Sequence, residues 1–241
     1  MKIYLAGTAS HELLTKKYKP KYILESYYYI KDWQIDIINE DFMLDSGAFS
    51  FMADAKKETD WYEYADKYAD FIKSHNIMKY IELDLDYVIG VDASKQLRNI
   101  LEKATNRQSI PVWHPIRGIE NFKKMCDEYN YVALGGIVGK KWQGLEKYMP
   151  WFISEAHKRN AIIHGLGFTK TSAFDKVRFD SVDSTTWTIG GRMGNMCYFT
   201  GSGMRQYYPS LHKQKPKNIN ALTEHNLIEW IKFQQYADEN L

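Results

Sequence analysis

Short apolar runs and longer amphipathic stretches alternate about eight times along this chain of 241 residues. A short apolar run predicts a buried strand, and a stretch with apolar residues every three or four positions predicts a helix. The alternation therefore favours a mainly parallel sheet covered by helices. About eight repeats favour closure into a (β/α)8 TIM-like barrel, which commonly uses about 250 residues. An open doubly wound sheet is the alternative.

The predicted elements follow from hydrophobic periodicity and from capping residues such as Asp60. Strands are predicted at residues 2–6, 22–29, 41–45, 79–85, 109–114, 130–135, 161–165 and 178–182, with weaker signals at 186–189 and 196–199. Helices are predicted at residues 60–74, 92–105, 120–128, 143–158, 170–176 and 223–236. Because no internal repeat or low-complexity linker interrupts this pattern, we expect residues 1–241 to form a single domain.

Charge and cysteine content limit the classes of protein to be considered. Lys and Arg number 32 against 30 Asp and Glu, a formal charge of +2, so any surface that binds nucleic acid must be local. The two cysteines, Cys126 and Cys197, form no metal-spaced pair, which disfavours a disulfide framework or structural zinc. No run of about 18 apolar residues is present. We expect a cytoplasmic protein that does not enter membranes.

Residues with chemical potential cluster at the ends of the predicted strands, where barrel enzymes carry their reactive groups. These segments are Asp45-Ser46-Gly47, Asp84-Leu85-Asp86, His114-Pro115, Gly135-Gly136, His164-Gly165-Leu166-Gly167 and Asp180. Each has an ordinary alternative taken alone. Asp45 or Asp180 could cap a helix or a turn, Asp84 or Asp86 could face solvent, and either histidine could be structural.

Taken in order, these segments resemble the tRNA-guanine transglycosylase superfamily, and more closely its compact phage and bacterial relatives that insert 7-deazaguanines into DNA. Leu44-Asp45-Ser46-Gly47-Ala48-Phe49 is similar to the family's Asp-Ser-Gly-Gly-aromatic motif, with Ala48 in place of the second glycine. Ala133-Leu134-Gly135-Gly136-Ile137 resembles Ile-Gly-Gly-Leu. His164-Gly165-Leu166-Gly167-Phe168-Thr169, followed by Phe179-Asp180-Ser181-Val182, resembles Met-Gly-Val-Gly-Thr and Phe-Asp-Cys-Val. The resemblance covers roughly residues 40–195.

The resemblance implies a guanine exchange at C1′ through a covalent glycosyl-enzyme. Such an exchange needs a carboxylate nucleophile and a general acid/base. We expect Asp180 to be the nucleophile and Asp45 to move the proton, with Asp183 as the rival nucleophile three residues further on. We expect no metal and no cofactor.

Base recognition is expected from the same strand ends. Phe49 would stack on the base, with His164 or Leu166 on its other face, and Asp84 would accept from guanine N1–H and N2–H₂. Backbone N–H groups of Gly135 and Gly136, with His114, would meet the O6 and N7 edge. Asp86 and Ser46 are secondary candidates.

Two departures from the family pattern restrict what the resemblance implies. The Cys-x-Cys-x-x-Cys motif of the tRNA enzymes' zinc subdomain is missing, because the chain has only two cysteines. A glutamate that follows the double glycine in bacterial members is replaced by Gly139-Lys140-Lys141-Trp142. The incoming free 7-deazaguanine is therefore expected to carry a neutral or anionic side group, such as a 7-cyano or 7-carboxamide group.

The expected partner is DNA, with the target guanine flipped out or presented single-stranded. Lys140, Lys141, Arg192 and Arg205 are candidates for gripping its backbone. The resemblance places such a protein in the cytoplasm of a bacterial or phage-infected host cell, and it leaves a homodimer or a helper protein open. The alternatives are the same exchange on tRNA, a non-catalytic nucleic-acid-binding subunit, and a hydrolase that uses the same two acids.

Overall fold

Eight parallel strands form the central sheet of the computed structural model, which describes residues 1–48, 50, 59–136, 146–168, 170–174, 176–208 and 218–241. The strands are β1 Lys2–Ala6, β2 Ile23–Ser26, β3 Met43–Asp45, β4 Lys79–Tyr80, β5 Val112–Trp113, β6 Tyr131–Leu134, β7 Ile162–Gly165 and β8 Ser181–Ser184. A separate antiparallel hairpin contains β9 Met196–Phe199 and β10 Met204–Tyr207.

The sheet closes on itself. The strands are hydrogen-bonded in the order β4-β3-β2-β1-β8-β7-β6-β5, and a parallel bridge between Ile81 and Ile110 joins the two ends of that order. There the N–H of Ile110 donates to the carbonyl of Tyr80 (2.8 Å), and the N–H of Glu82 donates to the carbonyl of Ile110 (3.1 Å). The predicted (β/α)8 barrel is confirmed. The open doubly wound alternative is wrong, because such a sheet has two unpaired edge strands.

Helices cover the outside of the barrel. They are α1 Glu12–Tyr18, α2 Trp61–Ser74, α3 Asp86–Ile89, α4 Val91–Thr105, α5 Ile119–Glu128, α6 Met149–His157, α7 Ile189–Met193 and α8 Ile219–Asn240. The predicted cap is confirmed at α2, where the Asp60 carboxylate accepts from the N–H groups of Tyr62 and Glu63. Across the described ranges, none of the helices has the length and apolarity needed to span a bilayer.

Side-chain alternation separates the barrel interior from the outer core. On β1, Tyr4 and Ala6 belong to the interior cluster, whereas Ile3 and Leu5 pack in the outer core beneath the helices. The interior cluster also takes residues from five other strands or strand edges: Tyr22, Leu24, Met43, Ile81, Ile110, Val112 and Ala133. The packed interior leaves the carboxyl ends of the strands as the place where polar side chains can gather.

Two predicted elements differ from the structure around β8. This strand starts at Ser181, three residues after the predicted start at 178, so Asp180 precedes it. The weak strand signal at 186–189 is wrong, because a 3-10 helix at Thr186–Thr188 leads into α7 there. Trp187 in this turn is fully buried and donates its indole N–H to the carbonyl of Ala6. Its large apolar side chain produced the strand signal in the sequence, but in the structure this side chain packs beside the end of β1.

A buried ion cluster fixes the chain that follows β4. Arg117 donates to both carboxylate oxygens of Asp86 (2.5 and 2.8 Å) and lies 3.0 Å from a carboxylate oxygen of Glu82. All three side chains are fully buried. Removing one member of such a cluster leaves an uncompensated buried charge. The cluster therefore holds the segment that carries Asp84 toward the mouth of the barrel.

We predict that Arg117→Ala lowers the free energy of unfolding by about 3–5 kcal/mol, because it leaves the buried Asp86 carboxylate without its arginine partner and Glu82 with Arg98 alone, at 3.5 Å. Urea denaturation followed by circular dichroism measures the loss. Lys16→Ala is the matched control, since the ion pair of Lys16 with Glu12 is solvent-exposed and its removal should leave stability nearly unchanged. Equal midpoints for the two variants would contradict a structural role for the cluster.

Candidate active site

Carboxylates from three strands gather at the carboxyl-terminal mouth of the barrel. Asp45 is the last residue of β3, Asp84 follows β4, and Asp183 is the third residue of β8. Asp183 pairs in register with Tyr4 of the interior cluster, while its neighbour Val182 packs in the outer core. The negative charges of Asp183 and Asp84 both act on Asp45. The three acids therefore form one electrostatic neighbourhood.

Burial alters the acidity of Asp45. Burial raises the pKa of Asp45 from its ordinary value to about 7, and the carboxylates of Asp183 and Asp84 push it in the same direction. The N–H of Gly47 donates to its Oδ2 (2.9 Å) and works against the rise in pKa. A carboxyl group with such a pKa can both give and take a proton near neutral pH.

Gly47 gives the turn after Asp45 its shape. Its φ of +73° lies in the left-handed region, and a Cβ at this position would come within 2.6 Å of Ser26 Oγ and of Tyr28 Cβ. Any larger residue would push the turn away from β2. The Asp45-Ser46-Gly47 segment is thus held so that the Gly47 N–H points at the Asp45 carboxylate.

Asp183 is held by two donors. The N–H of Gly167 donates to Asp183 Oδ1 (2.6 Å), and Nε2 of His164 lies 3.3 Å from the same oxygen. Gly167 has a φ of 66°, a conformation that favours glycine. The loop after β7 therefore carries a backbone donor to the end of β8.

Asp84 and His114 form a close pair. His114 Nε2 lies 2.5 Å from Asp84 Oδ1, with the imidazole nearly buried and the carboxylate a quarter exposed. Gly135 makes room for this pair, because a Cβ there would meet His114 Cε1 at 2.4 Å and Val112 Cγ1 at 2.5 Å. The predicted neighbours Asp84, His114 and Gly135 are brought together, and the backbone of exposed Gly136 follows directly. The predicted use of the Gly135 N–H as a donor to a base is wrong, because this N–H donates to the carbonyl of Trp113 (2.9 Å).

Two buried polar atoms beside these residues have no hydrogen-bond partner within the described part of the chain. They are Ser26 Oγ, next to the turn at Gly47, and His114 Nδ1. Leaving a buried polar group unpaired costs about 1–3 kcal/mol, and such groups are concentrated at functional sites. Both atoms suit a site that binds a polar ligand.

The prediction that Asp180 stands at the carboxyl end of its strand is wrong. Asp180 precedes β8, and its carboxylate accepts from the N–H of Ile163 (2.8 Å) and lies 2.9 Å from Nε2 of the exposed His157. Its carbonyl accepts from the N–H of Lys2, at the start of β1. Asp180 thus ties together the amino-terminal ends of three strands, about 10 Å along β8 from Asp183.

The secondary candidates Asp86 and Ser46 have structural partners. Asp86 is buried against Arg117, so its carboxylate does not reach the mouth. Ser46 is buried, accepts weakly from the N–H of Ala48 (3.4 Å), and its carbonyl accepts from the Tyr64 hydroxyl (2.5 Å). Asp84, and not Asp86, is therefore the acid of this segment that a ligand can reach.

The predicted contact residues lie partly outside the described part of the structure. Phe49, Lys140 and Lys141 lie outside the described residues, as does the side chain of Arg192. Arg205 is exposed on β10, in the hairpin whose first strand packs against α8. His164 is fully buried and its ring meets the edge of Tyr4, which leaves Leu166, partly exposed, as the better candidate for stacking on a base.

Ser181 and Tyr131 belong to the site and were missed in the sequence. Ser181 Oγ lies 2.6 Å from His164 Nδ1 and 2.5 Å from the Tyr131 hydroxyl, inside the barrel. The alternation of side chains along a strand could have identified Ser181. If Val182 faces the outer core, its two neighbours Ser181 and Asp183 must both face the interior. The hydroxyl groups themselves gave no sign of this role.

No family model matches this chain, and the search of curated proteins returned no match.

We predict that Asp45→Asn changes how stability depends on pH. Because folding raises the pKa of Asp45 to about 7, the folded protein binds a proton that the unfolded chain releases near pH 4. The wild-type free energy of unfolding should therefore fall between about pH 4 and 7, by up to about 1.4 kcal/mol per pH unit from this group. Asp45→Asn should lack that contribution, so its stability relative to wild type should grow with pH. Urea denaturation at several pH values measures both slopes.

Ser46→Ala is the control, since it alters the neighbouring residue without removing a titrating group. It should keep the wild-type slope. Parallel curves for Asp45→Asn and wild type would show that Asp45 is not protonated in the folded state near neutral pH.

Proposed function

We propose that this protein is a base-exchange transglycosylase that replaces guanine in DNA with a 7-deazaguanine. The observation that carries the proposal is the gathering of Asp45, Asp84 and Asp183 at one barrel mouth, with the pKa of Asp45 raised to about 7. The resemblance of the Asp45 and Gly135 segments to guanine transglycosylases supports the choice of base.

Asp183 is the proposed nucleophile in place of Asp180. It stands at the correct end of β8, faces the interior and shares an electrostatic neighbourhood with Asp45. Val182-Asp183-Ser184 also keeps the hydrophobic, aspartate, small-residue order of the family's Phe-Asp-Cys, three residues beyond the segment first matched. A nucleophile and a proton donor on the same mouth are what a double displacement at C1′ needs.

The reaction runs in two displacements. A carboxylate oxygen of Asp183 bonds to C1′ while the C1′–N9 bond breaks, and its electron pair leaves with guanine, which takes the proton from Asp45. The incoming deazaguanine then gives its N9 proton to Asp45 and bonds to C1′ through N9, which releases Asp183. Two inversions retain the configuration, and Asp45 ends protonated as it began.

Asp84 is the proposed reader of the base. Its Oδ1 is engaged by His114, which leaves Oδ2 to accept from guanine N1–H or N2–H₂. Each charge-assisted bond contributes about 1.5–3 kcal/mol, and adenine offers no such pair of donors. The N–H of exposed Gly136 is suited to the O6 and N7 edge of the base, since the N–H of Gly135 already donates to the carbonyl of Trp113.

Nucleoside mass spectrometry of DNA and tRNA from cells that express the chain and receive free deazaguanines tests the proposal. A 7-deazaguanine deoxynucleoside in DNA is the expected result. The modified nucleoside in tRNA alone would favour the tRNA alternative, and guanine release without any insertion would favour a hydrolase. No change in either nucleic acid, when protein recovered from the same cells is folded, would contradict the proposed function.

We predict that Asp183→Asn lowers the exchange rate by at least about 10⁴-fold, because the amide cannot form the glycosyl-enzyme. Asp180→Asn is the matched control, immediately before the same strand and at the other end of the barrel. It should keep the rate within a few-fold of wild type. Incorporation of labelled guanine into oligonucleotides measures both. An inactive Asp180→Asn beside an active Asp183→Asn would return the role to Asp180.

A further inference from the structure

A chain of hydrogen bonds crosses the barrel interior and ends on Asp183. The Tyr131 hydroxyl lies 2.5 Å from Ser181 Oγ, which lies 2.6 Å from His164 Nδ1, and His164 Nε2 lies 3.3 Å from Asp183 Oδ1. His164 and Ser181 are both almost completely buried. The residues come from β6, β7 and β8, so the chain joins three adjacent strands.

With a neutral imidazole at His164, donor and acceptor counting gives this chain one direction. A carboxylate at Asp183 can only accept, so His164 Nε2 must carry a proton toward it. Nδ1 of a neutral imidazole is then an acceptor for the hydrogen bond that the Ser181 hydroxyl donates, and Ser181 Oγ in turn accepts from the Tyr131 hydroxyl. Burial raises the pKa of Tyr131 above its ordinary value, which keeps the phenol proton in place. With a neutral His164, each hydrogen bond in the chain has one donor and one acceptor.

Both hydrogen bonds that the described residues make to the Asp183 carboxylate fall on the same oxygen. Gly167 N–H and His164 Nε2 meet Oδ1, and none of the described residues forms a hydrogen bond with Oδ2. An oxygen with two donors is a poorer nucleophile than its free neighbour, since its lone pairs are engaged. The geometry thus distinguishes the two carboxylate oxygens.

We propose that His164 is a positioning residue, held as the Nε2–H tautomer by Ser181 and Tyr131, that fixes the Asp183 carboxylate so that Oδ2 faces C1′. This proposal rests on the proposed function, because it assigns the attack to Asp183. In the covalent step Oδ2 forms the bond to C1′, and Oδ1 becomes the carbonyl oxygen of the ester. The His164 and Gly167 donors remain on that oxygen throughout.

Paired variants at His164 test the proposal in the exchange reaction. His164→Leu fills the buried space but removes the donor, and it should lower kcat by about 100-fold, the usual cost of a misplaced reacting group, with KM for the free base changed by less than about threefold. His164→Gln places an amide N–H where Nε2–H stands and should recover at least about tenfold of the loss. Wild-type kcat in His164→Leu, or equal losses in the two variants at equal thermal stability, would overturn the positioning role.

A second measurement does not depend on the reaction. Nitrogen-15 spectra of protein labelled at histidine, with His164 assigned by its absence in His164→Gln, should show a neutral ring protonated at Nε2. A ring protonated at Nδ1, or at both nitrogens, at neutral pH would overturn the chain. An enzyme without exchange activity but with the Nε2–H tautomer would contradict the proposed function and leave the hydrogen-bond chain standing.

Discussion

Successive side chains of a β-strand point to opposite sides, and in a closed barrel one of those sides is the interior. On β8 this constraint puts Ser181 and Asp183 inside and Val182 in the outer core. The same alternation on β1 places Tyr4 inside, in register with Asp183. The chemistry available at the mouth of the barrel depends on which acidic side chains this alternation turns toward the interior.

Burial and hydrogen-bond partners then give these three inward-facing acids different properties. Asp45 is desolvated beside two other carboxylates, which raises its pKa to about 7. Asp84 is paired with His114, and Asp183 accepts from Gly167 and His164. Three chemically similar side chains thus differ in their partners, as the proposed division of labour between a proton carrier, a base reader and a nucleophile requires.

The barrel was predictable from the sequence because eight alternations of apolar run and amphipathic stretch leave few other folds. Asp45, Asp84 and His114 were found in the same way, since each follows an apolar run that is in fact a strand. Asp180 was misplaced because Val177, Phe179 and Val182 read as one apolar run, whereas Val177 and Phe179 pack before the strand begins. The Tyr131, Ser181 and His164 chain depends on contacts between three strands, which no local pattern encodes.

The central claim, that Asp183 attacks C1′, is tested most directly by locating the covalent intermediate. The protein is incubated with a guanine-containing oligonucleotide without a free acceptor base, quenched with acid, digested and sequenced by tandem mass spectrometry. Trypsin leaves Asp180 and Asp183 in one peptide after Arg178, so fragment ions between them decide the site. A glycosyl mass on Asp183 is the predicted result, and the same mass on Asp180 would contradict the account.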